Sequence, residues 1–208
     1  MDKPAVKYLS NIVVTGAFNP SIIQPAWLIS TGIVSPPSDD EEVSIEMPVV
    51  SPSLIFRFEI GEAKWTVATD RLILEPKNGK PIQSLASAVL EKLSHTPLTA
   101  VGTNVESVIP KKVWKSDKPV IYAKIDEACG EFGEINERGC SLKINRDDNV
   151  TLTIIIKEEM DVSENVIVNL NFHQNTPTLK VALDALSNYE NHTVEAKTIV
   201  SSLIGAMD

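Results

Sequence analysis

The chemistry-bearing side chains of this chain are scattered. Its three histidines, His95, His173 and His192, stand far apart. His95 lies in the triplet Ser94-His95-Thr96, and its open chemistry would be general-base activation of a hydroxyl or thiol, with Ser94, Thr96 and Cys129 as nominal nucleophiles. Its position offers another reading: a histidine at the carboxyl end of a helix interacts favourably with the helix dipole. His173 follows an apolar strand segment, and Asp70, Arg71 and Glu91 are charges of the kind that strand turns and exposed helix faces carry in most domains.

Two groups point to binding instead. Asn104 closes the run TPLTAVGTN, where Gly102 marks a bulge or a close backbone approach and not a phosphate cradle. Asp39, Asp40, Glu41 and Glu42 form a run of acids after SPPS, suited to a basic partner or a cation. The run lacks the glycine and ligand spacing of a calcium loop, so a solvated loop is expected. A second acidic stretch runs over 127–137.

Several classes lose support at this level. Cys129 and Cys140 are eleven residues apart with no neighbouring Cys or His pair, which matches no zinc-ligand spacing, so reduced thiols and no metal are expected. The sequence contains no phosphate-binding glycine loop, HExxH, GxSxG or CxxC, and no cofactor is expected. A formal charge of −9 opposes attraction to phosphate backbones and anionic membranes. Nucleic acid is therefore not an expected partner; Lys111, Lys112, Lys115 and Lys118 around Trp114 read as a solvated turn. The amino terminus has no apolar run after a basic one, and no stretch approaches the ~20 apolar residues that span a bilayer. A cytoplasmic location, away from membranes, is the expectation.

The elements that must position these residues read as α+β, an antiparallel sheet covered by helices. A strand is expected over 11–16. A short or kinked helix should begin near Asn19-Pro20 and bury Ile22, Ile23, Trp27 and Leu28. Alternating apolar residues then predict strands over 43–49 and 54–60, and further strands through Trp65-Val67 and Leu72-Leu74, the pattern of a meander with one buried face. Ile82, Leu85, Ala86, Val89, Leu90 and Leu93 recur at helical spacing between Pro81 and Pro97, and their stripe should cover that face. A strand is expected over 120–125 and a hairpin or surface loop over DEACGEFGEINERGC. Alternation returns over 141–144, 150–156 and 166–172, and helical stripes follow at Leu179 to Leu186 and Ala196 to Ile204. With 208 residues the chain is read as one domain, 1–208, admitting two strand-strand-strand-helix halves, 1–110 and 120–208, that share a core.

Two segments, VVTGAFNPSIIQPAWL and LSHTPLTAVGTNVE, resemble an uncharacterised family of bacterial proteins with an FNP turn, a PxWL helix, and a helix ending in HTP before a GxN strand. The resemblance covers about the first 110 residues, implies a bacterial or phage setting, and transfers no catalytic residue. The expectation is a non-catalytic protein-interaction or accessory component of a bacterial multi-protein system, such as phage defence, with a protein partner and room for a homo-oligomer. The alternatives are an acidic inhibitor of a basic nuclease or toxin, using Asp39 to Glu42 or 127–137, and an enzyme with a site near His95.

Overall fold

Period-two alternation builds most of this molecule. In the computed structural model, which describes residues 6–38, 43–47, 54–77, 80–114, 137–146, 149–159 and 164–204, the strands form one nine-stranded antiparallel open sheet with four helices packed on it. Strands β1 (Lys7–Gly16), β2 (Ile45–Glu46), β3 (Ile55–Ile60), β4 (Ala63–Ala68) and β5 (Arg71–Pro76) come first, with helix α1 (Pro25–Ser30) after β1. Helix α2 (Gln83–Lys92), strands β6 (Leu98–Pro110), β7 (Glu137–Asn145), β8 (Val150–Glu159) and β9 (Asn165–Asn175), and helices α3 (Leu179–Ser187) and α4 (Tyr189–Leu203) are the remaining elements among the described residues.

The sheet runs β2-β3-β4-β5-β1-β6-β9-β8-β7. That order contains a repeat. A long strand, β1, is followed, after α1 and the short β2, by the meander β3-β4-β5 that returns to lie beside it, and then by α2; among the described elements β6, the meander β7-β8-β9 and α3 repeat that strand order, without counterparts of α1 and β2. β1 and β6 pair at the centre, so one half continues into the other as a single sheet.

The helices cover one face. Ile12 and Val14 of β1, Leu72 and Leu74 of β5, Trp65 and Val67 of β4 and Phe56, Phe58 and Ile60 of β3 are buried there against Leu28, Ala86, Val89, Leu90 and Leu186. Trp65 stacks on Phe58 at 6.1 Å between ring centroids and donates its indole N–H to the Ile60 carbonyl at 3.2 Å, which keeps a buried donor satisfied. A second cluster joins Val105, Ile109, Leu152, Val168, Leu170 and Phe172 to Ala196, Val200 and Ile204 of α4. Each large side chain removed from water in these clusters contributes about 1.5–3 kcal/mol.

Local chemistry explains where the elements begin and end. The first helix starts at Pro25, not at Asn19: Asn19 Oδ1 instead accepts the Ser21 N–H at 3.0 Å in a turn, and Pro25, whose missing N–H would be unpaired anyway, opens the helix. Ile22, expected inside, is 41% exposed as a result. β1 begins four residues earlier than expected, at Lys7, because β6 pairs along its whole length. Of the expected 43–49 strand the described part is the short β2, and the expected 120–125 strand lies outside the described residues. Glu137 to Cys140, read as part of a loop, begin β7, and Cys140 is an exposed free thiol; Cys129 lies outside the described residues. Asn188 separates the last two helices. Between β3 and β4 the turn needs Gly61, which has φ of 60° and would push a Cβ to 2.8 Å from Val34 Cγ1.

Candidate functional site

The same alternation that fills the helix-covered face sends every second residue of β1, β6, β9 and β8 to the other face, which no described element covers. There the register places Asn11 opposite Asn104, Asn104 opposite Asn171, and Asn171 opposite Thr153. The amides bond in sequence: Asn171 Nδ2 donates to Asn104 Oδ1, and Asn104 Nδ2 donates to Asn11 Oδ1 at 2.7 Å. Glu106 and Asn169 form the next pair along β6 and β9, while Gly102 and His173 form the pair on the other side. His173 Nε2 stands 3.3 Å from Asn175 Oδ1. Asn11 uses its oxygen within the row, so its Nδ2 hydrogens remain for a ligand.

The row lines a cleft of about 830 Å³. Its lining comes from both sides of the sheet: Leu9, Asn11, Asn104 and Asn171 from the uncovered face, Tyr189, Thr193 and Lys197 from α4, and Glu75, Pro76 and Lys80 from the end of β5 and the turn after it. One cleft reaches both faces because the sheet has a gap there. The β1–β5 ladder runs only from Thr15↔Arg71 to Ile12↔Leu74, so the stretch Lys7 to Asn11 is paired with β6 on one side and with no described strand on the other.

On the helix side the gap is framed by polar contacts. The Tyr189 hydroxyl and Ser10 Oγ lie 2.7 Å apart, and Lys197 Nζ sits 5.7 Å from the centre of the Tyr8 ring, in cation–π range. Burial pushes the Tyr189 phenol above its ordinary pKa, and the Ser10 hydrogen bond pulls against that shift. Lys80 pairs with Glu62 at 2.7 Å, and Gln83 Nε2 donates to Glu190 Oε1 at 2.7 Å. Deeper, the buried His192 stacks on Phe172 at 4.4 Å between ring centroids, and its Nδ1 lies 3.4 Å from Thr103 Oγ1.

Of the residues singled out from sequence, Asn104 sits at the centre of the amide row and lines the cleft. His95 does not join it: it is exposed in the turn after α2, beside an exposed Ser94. Asp39, Asp40, Glu41 and Glu42, and 127–136, lie outside the described residues, as do Lys115 and Lys118 of the basic cluster. Asp70 and Arg71 form an exposed pair at 3.7 Å. Sequence reasoning missed Asn11, Asn171, Ser10 and Tyr189, and gave His192 no role. For the asparagines a signal existed, since Asn169 and Asn171 occupy the polar positions of an alternating strand, but their convergence with Asn11 depends on long-range pairing. Among the described residues no group of three or more His, Cys, Asp or Glu is placed to hold a metal ion, and no helix is long and apolar enough to cross a membrane.

An amide row is suited to binding. Side-chain amides offer donors and acceptors without charge, and they match the hydrogen-bonding groups of another polypeptide. No family model matches this chain, and no curated protein matches it.

Proposed function

We propose that this protein is non-catalytic and acts by binding another protein, as an accessory or assembly component of a bacterial multi-protein system in the cytoplasm, with phage defence as one such setting. The observation that carries the reading is the uncovered sheet face, where Asn11, Asn104 and Asn171 are joined in a row that lines an open cleft. A row of mutually bonded amides holds each side chain in one orientation, so a partner meets an ordered polar surface and loses less entropy on binding.

Affinity purification of the tagged chain from its native host tests this. The expected result is a defined partner recovered in fixed stoichiometry, and released by Asn104→Arg, which puts a long charged side chain into the row. A chain that is recovered alone, and that turns over members of a metabolite or nucleotide panel, contradicts the proposal.

A further inference from the structure

The gap beside β1 follows from one residue. Gly16 N–H bonds the Asp70 carbonyl at 3.0 Å, and this pair lies in the β1–β5 register, so the even-numbered residues of β1 turn their backbone groups toward β5. The next pair in that register after Ile12↔Leu74 is Ser10 with Pro76. Pro76 has no N–H to give to the Ser10 carbonyl. β5 then stays with its other neighbour: Pro76 is opposite Ala63, and Lys77 N–H bonds the Glu62 carbonyl at 2.7 Å. Tyr8, the next residue whose backbone turns outward, has no described strand beside it. Among the described residues the outer edge of β1 at Tyr8 is therefore open, at the floor of the cleft.

We infer that this gap receives an extended segment of a partner protein, which adds as a strand to the outer edge of β1 at Tyr8 and Ser10. The inference rests on the protein-binding reading above and names its site and the form of its ligand. Unpaired N–H and C=O groups at strand spacing call for the same groups in an extended chain, and main-chain pairing supplies affinity in this mode while alternate side chains supply selectivity. The free stretch Lys7 to Asn11 spans about 17 Å at ~3.3 Å per residue, room for a five-residue strand. Leu9, on the uncovered face of this stretch, is 61% exposed, so an apolar residue placed opposite it would be buried on binding. On the helix side the incoming residues meet the Ser10 and Tyr189 hydroxyls, Thr193, and the opposite charges of Lys197 and Glu190, which favours polar side chains there.

The test uses the full chain and a phage-displayed library of random dodecapeptides. Panning is expected to enrich peptides with an apolar residue between polar ones. Their affinity, measured by fluorescence anisotropy, should fall by about tenfold more in Tyr8→Pro than in Tyr8→Leu, because both lose the ring and only the first loses the N–H. In the wild-type chain, bound peptide should slow hydrogen exchange at the Tyr8 amide, a readout that does not depend on the proline variant folding. No enriched peptide, equal affinity in the two variants, or an unchanged Tyr8 exchange rate overturns strand addition. A native partner that stays bound to a folded Tyr8→Pro chain overturns it while leaving the protein-binding reading standing; a wild-type chain that captures no partner removes both.

Discussion

The described strands of the two halves share one order, a long strand and a meander that returns beside it, and differ in the length of their meanders. β9 pairs with β6 from Ala100 to Pro110, all but the first two residues of that strand, whereas β5 pairs with β1 only from Ile12 to Thr15. The second half thus seals its long strand on both sides, and the first leaves the amino-terminal part of its long strand open. The difference is one of strand length: β3, β4 and β5 have six residues each, against nine, ten and eleven in β7, β8 and β9. A proline at the sixth position of β5 enforces it. In the second half the long strand has a neighbour on each side; in the first the same architecture leaves, among the described residues, the edge to which the proposed strand addition is assigned.

The largest expected effects test whether the halves are one energetic unit. Trp65→Ala in the first core and Phe172→Ala in the second each remove a fully buried ring and should cost about 3–5 kcal/mol in urea denaturation. Because β1 and β6 pair from Lys7↔Val108 to Gly16↔Leu98, both variants should lower the midpoint of a single transition. Two transitions, with only one moved by each variant, would break the comparison into two independent domains.

A smaller effect belongs to the amide row that crosses from one half to the other. Asn104→Ala removes both bonds of the row from a half-buried site, and should lower stability by about 1 kcal/mol while weakening partner capture much more. A stability loss as large as that of Phe172→Ala would make the row structural instead.

The smallest effect is a pH dependence at the cleft. Tyr189 has a pKa raised above 10.0 in the folded chain, chiefly by burial, so the unfolded chain loses this proton first as pH rises. The corresponding stability is fully present below pH 10 and is lost as pH climbs through the folded value. Urea midpoints of wild type and Tyr189→Phe, compared between pH 8 and 11, should therefore show a steeper alkaline decline in the wild type. Parallel curves would mean that Tyr189 is as solvated folded as unfolded.

Much of this fold was legible in the sequence because its signals are local. Alternation at Phe56, Phe58 and Ile60, or at Val166, Val168 and Leu170, identifies a strand with one buried face, and the Ile82 to Leu93 stripe identifies its covering helix. Strand ends were less legible, since β1 extends back to Lys7 only because β6 is there to pair with it. The site was the least legible. Asn104 drew attention through the turn-like Gly102-Thr103-Asn104, although Gly102 lies within a continuous strand, and the physical reason to single out Asn104 is its pairing with Asn11 and Asn171, 93 and 67 residues away. That Pro76 leaves β1 beyond Ile12 without a described neighbour follows only once β5 is known to lie beside β1.

Amide hydrogen exchange along β1 in the free protein tests the central claim most directly. Leu9 and Asn11 direct their N–H groups to β6, and Ile12 and Val14 direct theirs to β5, so all four should exchange slowly, while Tyr8 should exchange orders of magnitude faster than Leu9 beside it. Protection of Tyr8 equal to that of Leu9 would mean that the edge is already occupied, and would contradict the account of an open strand edge built to receive a partner.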